Sequence, residues 1–138
     1  MRITLLGAPL PKARPRFFRG RAYDSQAQEQ ETMRWRLRSA LREAGGELME
    51  GPLHVIFKFV LPIPKSWSQN KKDHPPEHVS KPDLDNLIKM WDIANGILFH
   101  DDSQICKIEA EKMYGRVPRT EVTCQKFKPG SGSENGRL

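Results

Sequence analysis

Five aspartates, Asp83, Asp85, Asp92, Asp101 and Asp102, fall in the stretch KPDLDNLIKMWDIANGILFHDDSQI from Lys81 to Ile105, with Lys89 among them. Carboxylates set this densely repel one another unless something positive lies between them. Hard oxygen donors suit Mg²⁺ or Mn²⁺, which also keep positions open for water and phosphate oxygens. A lysine one helical turn after Asp85 can hold a phosphate oxygen, orient a water or neutralise charge at a scissile phosphate. Simpler roles compete at each position. Asp83 or Asp85 can cap a helix, Asp85 and Lys89 can form an i,i+4 surface pair, and Asp101-Asp102 can make a turn.

The element that must present these groups is an amphipathic helix over Leu84–Gly96. On a helical wheel, Leu84, Leu87, Ile88, Trp91 and Ala94 share one side. Asp85, Lys89 and Asp92 share another, within an arc of about 60°. Pro82 bars the helix from extending upstream, which puts Asp83 at its start, where the dipole favours a carboxylate. Gly96 is a stop signal. The chain then returns through ILFH to Asp101 and Asp102, just ahead of a strand.

This segment resembles the signature of RusA-type Holliday-junction resolvases, endonucleases common in bacterial prophages. The pattern D-x-D-N-L-x-K stands here as Asp83-Leu84-Asp85-Asn86-Leu87-Ile88-Lys89, followed by Asp92 and then Asp101-Asp102-Ser103-Gln104. The two motifs agree in order and spacing over about a quarter of the chain, and nothing inside them departs from the pattern. The resemblance implies catalytic roles for Asp83, Asp85, Lys89 and Asp102. It implies Mg²⁺ or Mn²⁺ held by Asp83, Asp85 and Asp102 with Asp101 beside them, branched four-way DNA as substrate, and a homodimer.

At 138 residues the chain is one domain's worth, and its 37% hydrophobic content allows a core that a partner subunit helps to complete. A net charge of +6 favours a polyanionic partner, of which nucleic acid is the commonest. Cys106 and Cys124 lack metal-ligand spacing and read as buried thiols in a reducing compartment. With no apolar run of membrane-span length and no hydrophobic leader, the expectation is a cytoplasmic protein without a membrane partner.

From the start, Arg2–Leu10 reads as a strand with Ile3 and Leu5 on one face and Thr4 and Leu6 on the other. PKARPRFFRGRAY is the most basic stretch. Lys12, Arg14, Arg16, Arg19 and Arg21 offer donors to phosphates, while Phe17 and Phe18 are expected in the core rather than on bases. A helix over about Gln26–Ala44 follows, capped by Asp24 or Ser25, with Met33, Leu37, Ala40, Leu41 and Ala44 as its stripe and Gly45-Gly46 as its end. Leu53–Leu61 alternates as a strand. Lys65–Ser80 has no periodicity and reads as a disordered or functional loop that can turn Trp67, Lys71, Lys72, His74 and His78 toward DNA. His74 and His78 lack further ligands at zinc spacing. Gln104–Tyr114 and Thr120–Phe127 read as strands paired in a hairpin, and Lys128–Leu138 as a flexible polar tail.

The expected architecture is a single α+β domain over residues 1–127, with a mixed sheet and two main helices. The expected function is metal-dependent phosphodiester hydrolysis on branched DNA. The competing reading is a non-catalytic branched-DNA-binding protein.

Overall fold

The computed structural model describes residues 1–13, 16–23 and 26–130. Its organising element is β4 (Leu53–Pro62), whose run LHVIFKFVLP is apolar enough to be sheltered by a neighbour on each side. Leu53, Val55, Phe57, Phe59 and Leu61 alternate into the core, with Phe57 and Phe59 stacked at 5.4 Å. β6 (Arg119–Lys126) pairs antiparallel with β4 on one side and with β1 (Arg2–Leu6) beyond it, while β5 (Ile105–Gly115) pairs parallel with β4 on the other. The sheet order is β1-β6-β4-β5, a mixed sheet in an α+β domain.

The expected β5–β6 hairpin does not form. After Gly115 the chain turns across the end of β4, and β6 lies on the far side of it. A Cβ on Gly115 would collide with the Val60 Cγ1 methyl, so a larger residue here would have to displace the Val60 side chain. The half-polar sequence of β5 suits an edge, whereas the doubly apolar β4 needs the centre. The same placement leaves Cys106 exposed, contrary to expectation, while Cys124 is buried and its thiol pKa is pushed up by that burial.

α1 (Ala27–Glu43) lays Met33 and Leu37 on the core beside Ile3 and Leu5, with Ala40 and Leu41 partly buried and Ala44 exposed. It ends as expected. Gly45, at φ 67°, donates to the Arg42 carbonyl, and Gly46 donates to that of Leu41. The expected caps Asp24 and Ser25 lie outside the described residues, as do positions 131–138 of the polar tail.

The basic stretch is not plain loop. It forms a small hairpin of β2 (Arg16–Phe18) and β3 (Arg21–Tyr23), joined by Arg19 and Gly20, both at positive φ. Phe17 and Phe18 are 75% and 65% exposed, so their expected burial is corrected: the hairpin's own strands hold the backbone, and no core reaches the rings. The loop after β4 is likewise ordered. It holds a short helix, α2 (Gln69–Asp73), and is stacked down through Trp67 and His78, whose rings lie 4.7 and 4.5 Å from that of Tyr114 on β5.

Candidate active site

α3 (Leu84–Lys89) is shorter than the periodicity suggests. At Met90 the chain tightens into a 3₁₀ turn, Met90–Ala94. Four of those five residues, Met90, Trp91, Ile93 and Ala94, are buried. Asp92 is the polar exception and stays exposed.

Asp83 occupies the N-cap position of α3, but its side chain makes no capping hydrogen bond. Its carboxylate instead accepts from Lys81 Nζ at 2.8 Å, which holds its pKa below the usual carboxylate value, with the more distant Lys112 acting in the same direction. Asp85 and Lys89 form an i,i+4 pair at 3.6 Å, with both side chains well exposed. Asp92 receives Lys12 Nζ at 3.3 Å, and the Lys12 N–H donates to the Asn86 carbonyl at 2.9 Å. The start of the basic stretch is therefore fastened along the acidic helix.

The second pair of aspartates divides its work. Asp101 caps the 3₁₀ turn Asp102–Gln104: its carboxylate accepts from the Ser103 N–H at 3.0 Å, and its pKa is lowered first by the Ser103 side chain and then by that N–H. Gln104 closes the capping box. Its Oε1 accepts from the N–H groups of His100 and Asp101, and its Nε2 donates to the carbonyls of Met49 and Gly51. The Asp102 carbonyl accepts from the Ile105 N–H, but its carboxylate is exposed and has no hydrogen-bond or ion-pair partner among the described residues.

These elements enclose a cleft of about 480 Å³ floored by Val55, Phe57, Trp91 and Val122, where Lys12, Lys89, Asp92 and Asp102 meet. Asp83 opens onto a neighbouring cleft of about 610 Å³ with Asn86, Lys81, His78 and Tyr114, and Lys12 stands between the two. Asp85 lines neither. Among the described residues no three His, Cys, Asp or Glu side chains are gathered as a metal-holding group. The donor chemistry nevertheless suits Mg²⁺, which takes one or two carboxylates and completes its shell with water and substrate phosphate rather than demanding an all-protein cage.

Two positions hold structural roles that the sequence reading did not assign. Lys112, on β5, donates to the carbonyls of Ser80 at 2.7 Å and Pro82 at 2.9 Å, tying down the backbone that delivers Asp83. Thirty residues separate the partners, and no local pattern announces the contact. Gln104 was legible as the fourth residue of a D-x-x-Q capping box. Of the expected DNA-contacting residues, Arg19 and Arg21 are exposed on the hairpin, Lys72 is half-buried, and Lys71 sits over the Trp67 ring at 4.2 Å. Arg14 and the side chain of Arg16 lie outside the described residues. His78 is buried, which pushes its pKa down, and its Nδ1 has no partner among the described residues. No helix is long and apolar enough to cross a membrane among the described residues.

Comparison with known proteins agrees with the motif. The chain is 34% identical over 82 residues to the uncharacterized protein YqaN of Bacillus subtilis (strain 168), a match covering 54% of this chain and 58% of that protein. The model of the family Endodeoxyribonuclease RusA matches residues 7–125, spanning the hairpin, the acidic helix, the Asp101–Gln104 corner and the sheet strands other than β1. The chain belongs to the RusA endodeoxyribonuclease family.

Proposed function

We propose that the protein is a divalent-metal-dependent endonuclease that resolves four-way DNA junctions during recombination and repair, acting as a homodimer. The observation that carries this reading is the meeting of Lys12, Lys89 and an unpartnered Asp102 in one cleft of a chain of this family. Asp83, Asp85 and Asp102 would supply oxygens to Mg²⁺ or Mn²⁺, which when bound activates water and polarises a phosphate. Asp101 is assigned to its cap. Lys89 faces the cleft and stabilises charge on the phosphodiester as it breaks. Its exposed pair with Asp85 leaves the ammonium able to turn to a phosphate, because such pairs are weak in water. Lys12 draws the DNA backbone to the same place, and a four-way junction with two equivalent scissile phosphates suits a two-fold symmetric dimer.

The second reading, a branched-DNA-binding protein without catalysis, is favoured by one observation: the carboxylates are not gathered as a metal-holding group among the described residues. One assay separates the two. Purified protein is incubated with a mobile four-way junction or with duplex DNA, with and without Mg²⁺. Cleavage of the junction only when Mg²⁺ is present supports the nuclease. Tight junction binding with no cleavage under any metal supports the binding protein.

A further inference from the structure

The β2–β3 hairpin has no role in the chemistry just described, yet its construction is specific. Phe17 and Phe18 are neighbours on one strand, so their side chains project from opposite faces of the ribbon. Both are largely exposed, which leaves uncovered aromatic surface on each side. The tip is cationic: the Arg19 guanidinium lies 5.4 Å from the centre of the Phe18 ring, and Arg21 pairs with Phe18 across the hairpin.

The foot of this excursion is fixed. Gln26 donates through Nε2 to the Pro11 carbonyl at 2.9 Å and accepts through Oε1 from the Ala13 N–H at 2.6 Å. Lys12, between them, is bonded to both Asn86 and Asp92. The hairpin thus springs from beside the acidic helix. The six residue steps from Ala13 to Arg19 span at most about 20 Å when extended, comparable to the width of a DNA duplex.

Exposed rings rimmed by arginines fit nucleobases better than an apolar protein surface. Bases offer flat faces for stacking and phosphates for the guanidinium groups, whereas a protein partner would have to bury Arg19 and Arg21 as well. Rings on both faces suit a place where base stacking is interrupted, and the branch point of a junction is such a place. We propose that the Phe17–Phe18 tip is a wedge that stacks on unstacked bases at the DNA branch point while Arg19 and Arg21 hold the flanking phosphates. This rests on the nuclease reading and adds the means by which the protein tells a junction from a duplex.

The test uses a four-way junction carrying 2-aminopurine beside the branch point, with protein bearing Asp85→Asn to prevent cleavage. Binding is expected to change the 2-aminopurine fluorescence. Adding Phe17→Ala and Phe18→Ala should abolish the change and weaken junction binding about 10-fold or more per ring, with duplex binding and melting temperature unchanged. Phe17→Trp should retain the signal. Fluorescence that responds identically with and without the rings overturns the wedge, as does an equal loss of junction and duplex binding. A shift from dimer to monomer in the alanine variants, read by sedimentation, overturns it in favour of a self-association surface. If the protein without substitutions shows no preference for junctions over duplex, the nuclease reading fails and the wedge with it. If it cleaves junctions but the rings are silent, the wedge fails alone.

Discussion

Two short acidic segments deliver the candidate carboxylates, and they do so in opposite ways. At the start of α3, Asp83 stands in the capping position without capping, and along α3 and the 3₁₀ turn after it each carboxylate is matched to a lysine: Asp83 to Lys81, Asp85 to Lys89, Asp92 to Lys12. At the Asp101–Gln104 corner, the first aspartate caps and the carboxylate of the second has no partner among the described residues. The contrast teaches that a carboxylate's availability follows from what its oxygens already hold, not from its place in a motif. Such pairs at the surface dissolve easily, because water screens them and holding two side chains in place costs entropy. A capping bond inside a box that also anchors the Met49–Gly51 backbone does not.

If the helix carboxylates are reactive and loosely held, neutralising them gives the largest effects. Asp83→Asn and Asp85→Asn should each slow junction cleavage on the order of 1,000-fold, with binding intact or tighter because a negative charge has left the DNA's path. The double variant should lose little more, as expected of residues acting as a unit. Single-turnover rates beside binding curves check this, and near-normal cleavage by either single variant would detach that residue from the site.

Lys89 comes next, at the point where an ordinary helix pair and a chemical role diverge. Lys89→Ala should slow single-turnover cleavage on the order of 100-fold. Its cost in stability should be only about 0.3–0.5 kcal/mol, the value of an i,i+4 pair. Lys89→Arg should rescue poorly, because a planar fork does not take the place of a compact ammonium. A rate within a few-fold of normal for Lys89→Ala would leave it a surface lysine.

The corner should respond in stability instead. Asp101→Ala removes a cap and should lower the denaturation midpoint, by less than the Gln104 change. Gln104→Ala strands several backbone groups and should cost about 2 kcal/mol. Chemical denaturation of both measures the difference, and unchanged midpoints would mean the corner is held by something else. The smallest effect is expected on the basic stretch, where Arg14→Ala and Arg16→Ala should each lower the log–log salt slope of DNA binding by about one unit. An unchanged slope would make them solvated bystanders.

Much of this was legible in the sequence because the signals are local. Alternation in Leu53–Leu61, the glycines after α1 and Pro82 ahead of α3 each act within a few residues, and each stands where expected. The mixed α+β sheet was legible too, but not its strand order. Whether β5 pairs with β6 or crosses β4 depends on which strand most needs shelter, and on Gly115 letting the chain pass over Val60. Phe17 and Phe18 were misplaced because an apolar residue carries no mark of whether a core lies within its reach. The conversion of the helix to a 3₁₀ turn at Met90 was hidden by a wheel that assumes constant pitch, and Lys112's hold on Pro82 joins segments no window spans.

The central claim, that bonding separates two adjacent aspartates into a cap and a reactive group, is tested most directly by neutralising each in turn. Asn caps a helix as well as Asp does, so Asp101→Asn keeps the bond to Ser103 and loses only charge. Asp102→Asn also loses only charge, but from the carboxylate assigned to the metal. Single-turnover cleavage of a four-way junction in Mg²⁺ should remain within a few-fold of normal for Asp101→Asn and fall by about 100-fold or more for Asp102→Asn. Equal losses in the two variants, or an active Asp102→Asn, would contradict the account.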